Sequence, residues 1–590
     1  MCRALFVALA FWSLTTTHLH AQDPIDLGGV REEQMMIPMR DGTKLSAYMY
    51  FPKGDGPWPV LYEQRYADLK GAGTRQANAR LAKAGYVVCA ENFRGAGKSE
   101  GTWVGYRALG WGELQDGYDT VEWLAKQKWS TGKIGTFGSS QAGFAQNFLA
   151  VTRPPHLVAQ YMIDTGLSLF QEGYRIGGTT RPERFKGMDA VCREPAHNRA
   201  LVAEWFKHPT FDDYWKQEDC SRHFNKMDVP CFTIGSWFDF MNIGSIESYR
   251  GRQHRAGPNS RGKQQLLIGP WLHGGYLGKN TNKVSELIFP ENAKFDAESH
   301  LIRWFDYWLK GNDNLVDRDP TIRYYVMGEC SPVAPRQESR TSLDAARATS
   351  VPSTNDVQSA LGNPVAERQG YVGNIWRETN DWPISSTPTN YFLRNGGKLS
   401  TSSPTEADAA VTILADPLKP ANIPNTRGFP GAADARKVEE QAEVRTFTSE
   451  PLTAPVEWTG LVKAELFVTS SAKDTDFIVR VCDVYPDGRS ILLVDYIRRG
   501  RYRDGFEQEV FFTPGKVEKV AFEVGWISQI FAKGHRIRVT VASTGAPFFE
   551  PNPNTGEPLA LEFPSNAITA TNTVQLNKQH ASRVIAPLRP

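Results

Sequence analysis

The sequence predicts an α/β domain on a mainly parallel sheet, carrying a helical insertion, followed by an all-β domain of sandwich or jelly-roll type. Three observations carry this expectation. Strand-like and helix-like segments alternate as far as residue 165 and again from 229 to 312, the pattern of a parallel sheet covered on both faces. Between them, residues 166–228 lose the apolar strand runs and become rich in aromatics such as Phe170, Tyr174, Trp205 and Trp215. Beyond Trp382 the apolar stretches are short, lack a helical period and are separated by Pro, Gly and Asp turns.

Taken in order, "MIPMRDGTKLSAYMYFP" (36–52) alternates around Asp41-Gly42 and reads as a hairpin with a tight turn. "PWPVLYEQRY" and "GYVVCAENFRG" read as buried strands. The segment between them, "TRQANARLAKAG", reads as a helix closed by Gly85. "WGELQDGYDTVEWLAKQ" places Leu114, Tyr118, Val121 and Leu124 on one helical face. "GKIGTFGSS" is the next strand. After the insertion come two more, "VPCFTIGSWFD" and "QQLLIGPWLH", and then a long amphipathic helix, "ESHLIRWFDYWLKG". Residues 331–373 turn to Ser, Thr, Ala, Pro, Gln and Arg without periodicity, which marks a surface insertion or linker. The expected division is therefore 22–165 and 229–330 for the α/β domain, 166–228 for the cap, and 374–590 for the β domain.

At 590 residues the chain exceeds one hydrophobic core. A net charge of +2 without a basic stripe argues against a nucleic-acid partner. Arg3, the apolar run Ala4–Leu14 and Ala21 fit a secretory signal peptide over 1–21, implying a secreted or periplasmic protein. That run is too short to cross roughly 30 Å of hydrocarbon. No later stretch is long enough to span a membrane. Cys192 with Cys220 is the first choice for a bridge, whereas Cys89 and Cys482 sit in apolar runs as buried thiols.

The chemistry centres on "KIGTFGSSQAGFAQ". A strand, a sharp turn with small neighbours and a helix push a serine hydroxyl out at the carboxyl end of a sheet. Gly138 stands two before Ser140 and Ala142 two after it; Ser139 would instead place Phe137 at the tight position. Ser140 is the expected nucleophile. Asp239 and His273 each follow a strand, in the order nucleophile, acid, base, at the sheet edge where such folds bind ligands. The backbone N–H of Gln141 and the phenol of Tyr66 are the expected oxyanion donors. Trp237, Phe238 and Trp271 are expected to wall an apolar substrate pocket. Nothing calls for a metal or organic cofactor.

These residues resemble the acyl hydrolases of the cocaine esterase family, grouped with Xaa-Pro dipeptidyl-peptidases (S15), α-amino-acid ester hydrolases and glutaryl-cephalosporin acylases. "QRY", "FRGAGKSEG", "GSSQAG", "GSWFD" and "GPWLH" follow the family's ordered motifs, as do "DTDFIVRVCDVYPDGRS", "GHRIRV" and "NPNTG" later. The resemblance implies an α/β-hydrolase domain, a helical cap, a C-terminal jelly roll, a triad on Ser140, Asp239 and His273, and an oxyanion tyrosine at Tyr66. Three departures stand out: Asn92 in place of aspartate, no proline before Tyr66, and Gln141 in place of tyrosine, which is expected to alter the acyl-pocket wall. The ammonium-binding carboxylates of the amino-acid ester hydrolases are also missing, since Phe240, Met241 and Asn242 follow Asp239, leaving only Asp164. The expected function is a secreted serine esterase acting on a small-molecule ester. The alternatives are an amidase or acylase, an Xaa-Pro dipeptidyl-peptidase with the same triad, and a non-catalytic glycan-binding protein.

Overall fold

A computed structural model describes residues 25–274, 282–332, 373–422, 431–560 and 562–590. The predicted signal peptide and nearly all of the 331–373 linker lie outside the described residues.

The hairpin forms as expected: β1 (Arg31–Pro38) pairs antiparallel with β2 (Lys44–Phe51), with Gly42 at positive φ in the turn. β3 (Trp58–Arg65), α1 (Ala72–Lys83) and β4 (Val87–Asn92) follow, and Gly85 closes α1 at φ 89°. α2 (Asp116–Ala125) begins later than the apolar spacing suggests. It buries Asp116, Gly117, Thr120, Val121 and Leu124, so Leu114 falls before the helix. β5 (Ser130–Ser139), α3 (Gln141–Thr152) and β6 (Leu157–Ile163) complete the first half.

The cap consists of short pieces, including α4 (Pro182–Gly187), α5 (Pro195–Lys207) and α6 (Asp213–Lys216). Its aromatics pack on one another, with Tyr174 stacked on Trp205 at 3.8 Å. Then come β7 (Cys231–Phe238), α7 (Asn242–Arg255), β8 (Gln264–Leu272) and α8 (Ala297–Phe305). The sheet order is β1-β2-β4-β3-β5-β6-β7-β8, extended by Ile322–Val326 and Ile375–Thr379. From β4 through β8 all pairs are parallel. The carboxyl ends of β5, β7 and β8 therefore share one edge.

Ile375–Thr379, expected within the last domain, instead pairs antiparallel with Ile322–Val326 and closes the first sheet. The C-terminal strands begin at Thr387–Arg394 and form a second, 11-stranded, almost wholly antiparallel sheet system. The suggested Cys192–Cys220 bridge is absent: all six described cysteines are free and buried. Cys192 bridges by backbone to Ala96, whereas the Cys220 N–H donates to Leu167 O, so the two thiols belong to different parts of the cap base.

Candidate active site

Ser140 sits between β5 and α3 at φ 55°, ψ −114°, a conformation that costs a non-glycine residue of order 1–3 kcal/mol. The surroundings enforce it. The Ser140 N–H donates to Ile163 O at 3.0 Å, and the Ser140 carbonyl accepts from Phe144 N at 3.0 Å. A Cβ on Gly138 (φ 134°) would lie 2.6 Å from the Ala142 methyl, and one on Gly143 would lie 2.8 Å from Thr165. The small residues of "GSSQAG" thus answer to contacts across the turn. Ser139, by contrast, is the last residue of β5, in register with Ile163.

Asp239 follows β7 in a turn closed by Asp239 N–H to Ser236 O at 3.2 Å and Asn242 N–H to Asp239 O at 3.0 Å. His273 follows β8. Its Nδ1 lies 2.9 Å from Asp239 Oδ1, with the Asp239 side chain fully buried and that of His273 15% exposed. Burial presses the imidazolium down, but the Asp239 carboxylate outweighs it and raises the His273 pKa above its ordinary 6.5; Asp164 adds to the rise and Arg184 opposes it. That hydrogen bond fixes the tautomer with the proton on Nδ1, leaving Nε2 as the acceptor.

Tyr66 stands on the loop after β3, half-buried and edge-on to Phe93 and Trp103 at 5.7 and 5.8 Å. Two departures from the family pattern meet on this loop. The Gln141 side chain braces this loop: its Oε1 accepts from the N–H groups of Tyr66 (2.9 Å) and Ala67 (3.0 Å). Asn92 Nδ2 donates to the carbonyls of Arg65 (3.2 Å) and Ala67 (3.0 Å), a role aspartate cannot fill. The loop is held from both sides. As the first residue of α3, Gln141 also offers a backbone N–H that has no intrahelical acceptor.

Three site residues escaped the sequence reading or were undervalued in it. Asp164, at φ 45° after β6, accepts from Ser236 Oγ (2.9 Å) and from the Gly274 N–H (2.8 Å), tying β7 to the residue after His273. Its position at the same sheet edge as Ser140, Asp239 and His273 was the available signal. Burial, reinforced by the Asp239 charge, pushes its carboxyl well above the usual range. Asp164, Asp239 and His273 bring ligand-type atoms within 4.8 Å of one another. Arg181 and Arg184 come from the cap, and Arg184 Nη2 donates to the Tyr66 hydroxyl at 3.4 Å. The cap's lack of periodicity hid both.

Of the expected pocket residues, Trp237 and Phe238 line a pocket together with Asp239, Phe240, Ile243 and Phe548. Ser140, Tyr66 and His273 are not among its walls; it lies on the acid's side, between β7 and the β domain. Trp271 does not line it. Its indole turns into the core, donating to Ala293 O at 2.9 Å and packing on Phe295 and Trp376, because the last residues of β8 remain under the helix layer.

Comparison with known proteins defines the class. Residues 41–199 and 186–275 match the model of the X-Pro dipeptidyl-peptidase (S15 family), and 314–585 match that of the X-Pro dipeptidyl-peptidase C-terminal non-catalytic domain. The cocaine esterase of Rhodococcus sp. (strain MB1 Bresler) is 27% identical over 618 residues, covering 94% of this chain and 98% of that protein. Among solved structures, an aminopeptidase from a marine sediment Thaumarchaeota archaeon superposes with TM-score 0.77 at 21% identity, covering 99% of this chain and 100% of that one. An α-amino-acid ester hydrolase does so with TM-score 0.77 at 22% identity, covering 98% and 100%. The fold is that of the α/β-hydrolases with a C-terminal β-rich domain, and the protein is a serine-type hydrolase. The chain thus carries a segment that matches the S15 family followed by one that matches that family's C-terminal domain, and along nearly its whole length it is similar to the cocaine esterase.

Among the described residues no helix is long and apolar enough to cross a membrane.

Proposed function

We propose that the protein is an exported serine esterase working through an acyl-enzyme, with Ser140 as nucleophile, His273 as base and Asp239 as its partner. The observation that carries this reading is the 2.9 Å His273–Asp239 hydrogen bond at the same sheet edge as the strained Ser140 turn. Ser140 Oγ attacks the acyl carbon as its proton passes to His273 Nε2, and buried Asp239 stabilises the resulting imidazolium. The Gln141 N–H and the Tyr66 hydroxyl receive the oxyanion. Collapse expels the alcohol, which takes the proton from His273. Water, activated by the same imidazole, then releases the acid and restores Ser140.

An Xaa-Pro peptidase or amino-acid ester hydrolase must hold a desolvated ammonium with carboxylates. Here Phe240 packs 4.9 Å from the His273 ring, Asn242 is engaged with Ser236 O and Trp526 N, and Asp164 is spent on Ser236 and Gly274. Those engagements favour the esterase. The test is an acyl-enzyme burst with a p-nitrophenyl ester and labelling by a serine-directed phosphonate, both lost in Ser140→Ala. A wild type that gives neither refutes the assignment.

A further inference from the structure

Two cationic side chains of the cap, Arg181 and Arg184, lie beside the candidate catalytic residues. Arg184 lies against the Tyr66 hydroxyl, and its charge is felt at His273. One helical turn earlier, Arg181 lies over the rings of Phe240 (5.1 Å) and Phe548 (5.2 Å). Phe240 in turn packs on His273. The pair therefore spans the distance from the oxyanion side of the scissile bond to the histidine side.

Among the described side chains, neither guanidinium has a carboxylate partner. The strongest electrostatic neighbours of Arg184 are the phenols of Tyr66, Tyr106 and Tyr174, and those of Arg181 are Arg184 itself and Tyr66. Arg181 Nη1 is enclosed and makes no hydrogen bond. Burial, and then repulsion from Arg184, drive the Arg181 pKa down to about 9. The described acids nearby do not relieve this. Asp239 is committed to His273, and Asp164 is held toward its neutral form by burial and by the Asp239 charge. Several enclosed arginines have close acids, Arg94 with Asp116 at 2.6 Å, Arg499 with Asp476 at 3.0 Å and Arg501 with Asp474 at 2.7 Å, whereas buried Arg175 and Arg252 are met by backbone carbonyls and by Asn147 Oδ1, away from the candidate catalytic residues. Two like charges held together and desolvated are costly unless a ligand compensates them. Planar guanidinium forks match a carboxylate in two-point geometry.

We propose that Arg181 and Arg184 form a carboxylate-binding subsite, so that the preferred ester carries an anionic carboxylate close to its scissile carbonyl. This deepens the esterase reading and rests on it for the position of that carbonyl. The subsite is opposite in sign to one built for an ammonium, and it uses cap residues where such sites use acids after the triad aspartate.

The experiment compares monoethyl esters of four- to six-carbon dicarboxylic acids with ethyl esters of the matching monocarboxylic acids. A third set carries a neutral acyl group and a carboxylated alcohol. In the wild type, kcat/KM favours a carboxylated set by about 10- to 100-fold, the range of a charge-assisted hydrogen bond. Whichever carboxylated set is favoured fixes the side of the scissile bond that the subsite serves. Arg181→Gln removes most of that preference and Arg181→Lys, which keeps the charge, restores part of it. Binding of the monoethyl esters to Ser140→Ala by calorimetry weakens in the Ser140→Ala, Arg181→Gln double variant. Equal or faster turnover of the neutral esters, or binding indifferent to Arg181→Gln, overturns the proposal. If the esterase reading itself fails, no ester turns over and the phosphonate does not label. The calorimetric comparison on Ser140→Ala then still decides whether the subsite exists.

Discussion

Replacing Gln141 with methionine keeps the volume of the side chain but removes the acceptor that holds the Tyr66 loop. Two N–H groups, of Tyr66 and Ala67, lose their partner at 2.9 and 3.0 Å. At about 0.5–1.5 kcal/mol net per hydrogen bond, the pair is worth about 1–3 kcal/mol. Expressed wholly in the transition state, that is a loss of about 5- to 150-fold in kcat. The loss of a whole oxyanion donor, about 10²–10³-fold, sets the ceiling. The Gln141 backbone N–H is untouched by the change, so the effect must pass through Tyr66. The assay is steady-state kcat and KM on a short-chain p-nitrophenyl ester, normalised by burst amplitude so that only folded active sites are counted. The decisive measurement is the double-variant cycle with Tyr66→Phe: once the phenol is gone, Gln141→Met adds little. An unchanged kcat, or losses that multiply in full, would refute the idea that Gln141 acts by placing Tyr66.

Tyr66→Phe itself lowers kcat by about 10²–10³-fold with a smaller change in KM; a near-normal rate removes Tyr66 from the mechanism. Only neutral His273 accepts the Ser140 proton, and its pKa is raised, so the acid limb of the kcat/KM profile lies above pH 6.5. Arg184 opposes that rise, so Arg184→Gln moves the limb to still higher pH, read from a pH–rate profile. Asp474→Asn breaks a buried ion pair in which both side chains are at most 2% exposed. Because Glu509 still pairs with Arg501, the expected loss is at the low end for such pairs, about 3 kcal/mol by denaturant unfolding.

The sequence showed most clearly what is decided locally. The hairpin at Asp41-Gly42, the α1 stop at Gly85 and the Ser140 turn each depend on residues within a few positions of one another. The order of Ser140, Asp239 and His273 was legible because a parallel sheet sends each strand's carboxyl end to one edge. Side-chain direction at a strand end was not legible, and Trp271 turned into the core where a pocket wall was expected. The bracing role of Gln141 was not legible because its partners, Tyr66 and Ala67, lie more than 70 positions away. The same distance problem hid the arginines of the cap, whose position is set by tertiary contacts and not by any period in its own sequence.

Those contacts join the β domain to the cap segment that precedes Arg181. "DTD" and "NPN" belong to stretches that read as family motifs of that domain, and in the structure they form one buried network with Arg499 and Arg501. Asp474 pairs with Arg501, Asp476 with Arg499, and Asn552 Nδ2 donates to both aspartates at 2.9 and 2.8 Å. The network reaches the cap. The Arg499 N–H donates to Gly177 O at 2.8 Å, Thr180 bonds Glu550, Tyr502 donates to Pro209 O at 2.6 Å, and the Phe211 N–H donates to Phe506 O at 2.7 Å. Gly177 and Thr180 stand four positions and one position before Arg181. A Cβ on Gly177 would overlap the Ile497 carbonyl at 1.8 Å, so only glycine permits this approach. The charged core of the β domain thus fixes the segment that carries Arg181. Loosening that core should therefore change substrate preference as well as stability, because the arginines are held by the β domain and not by the short helix that carries them.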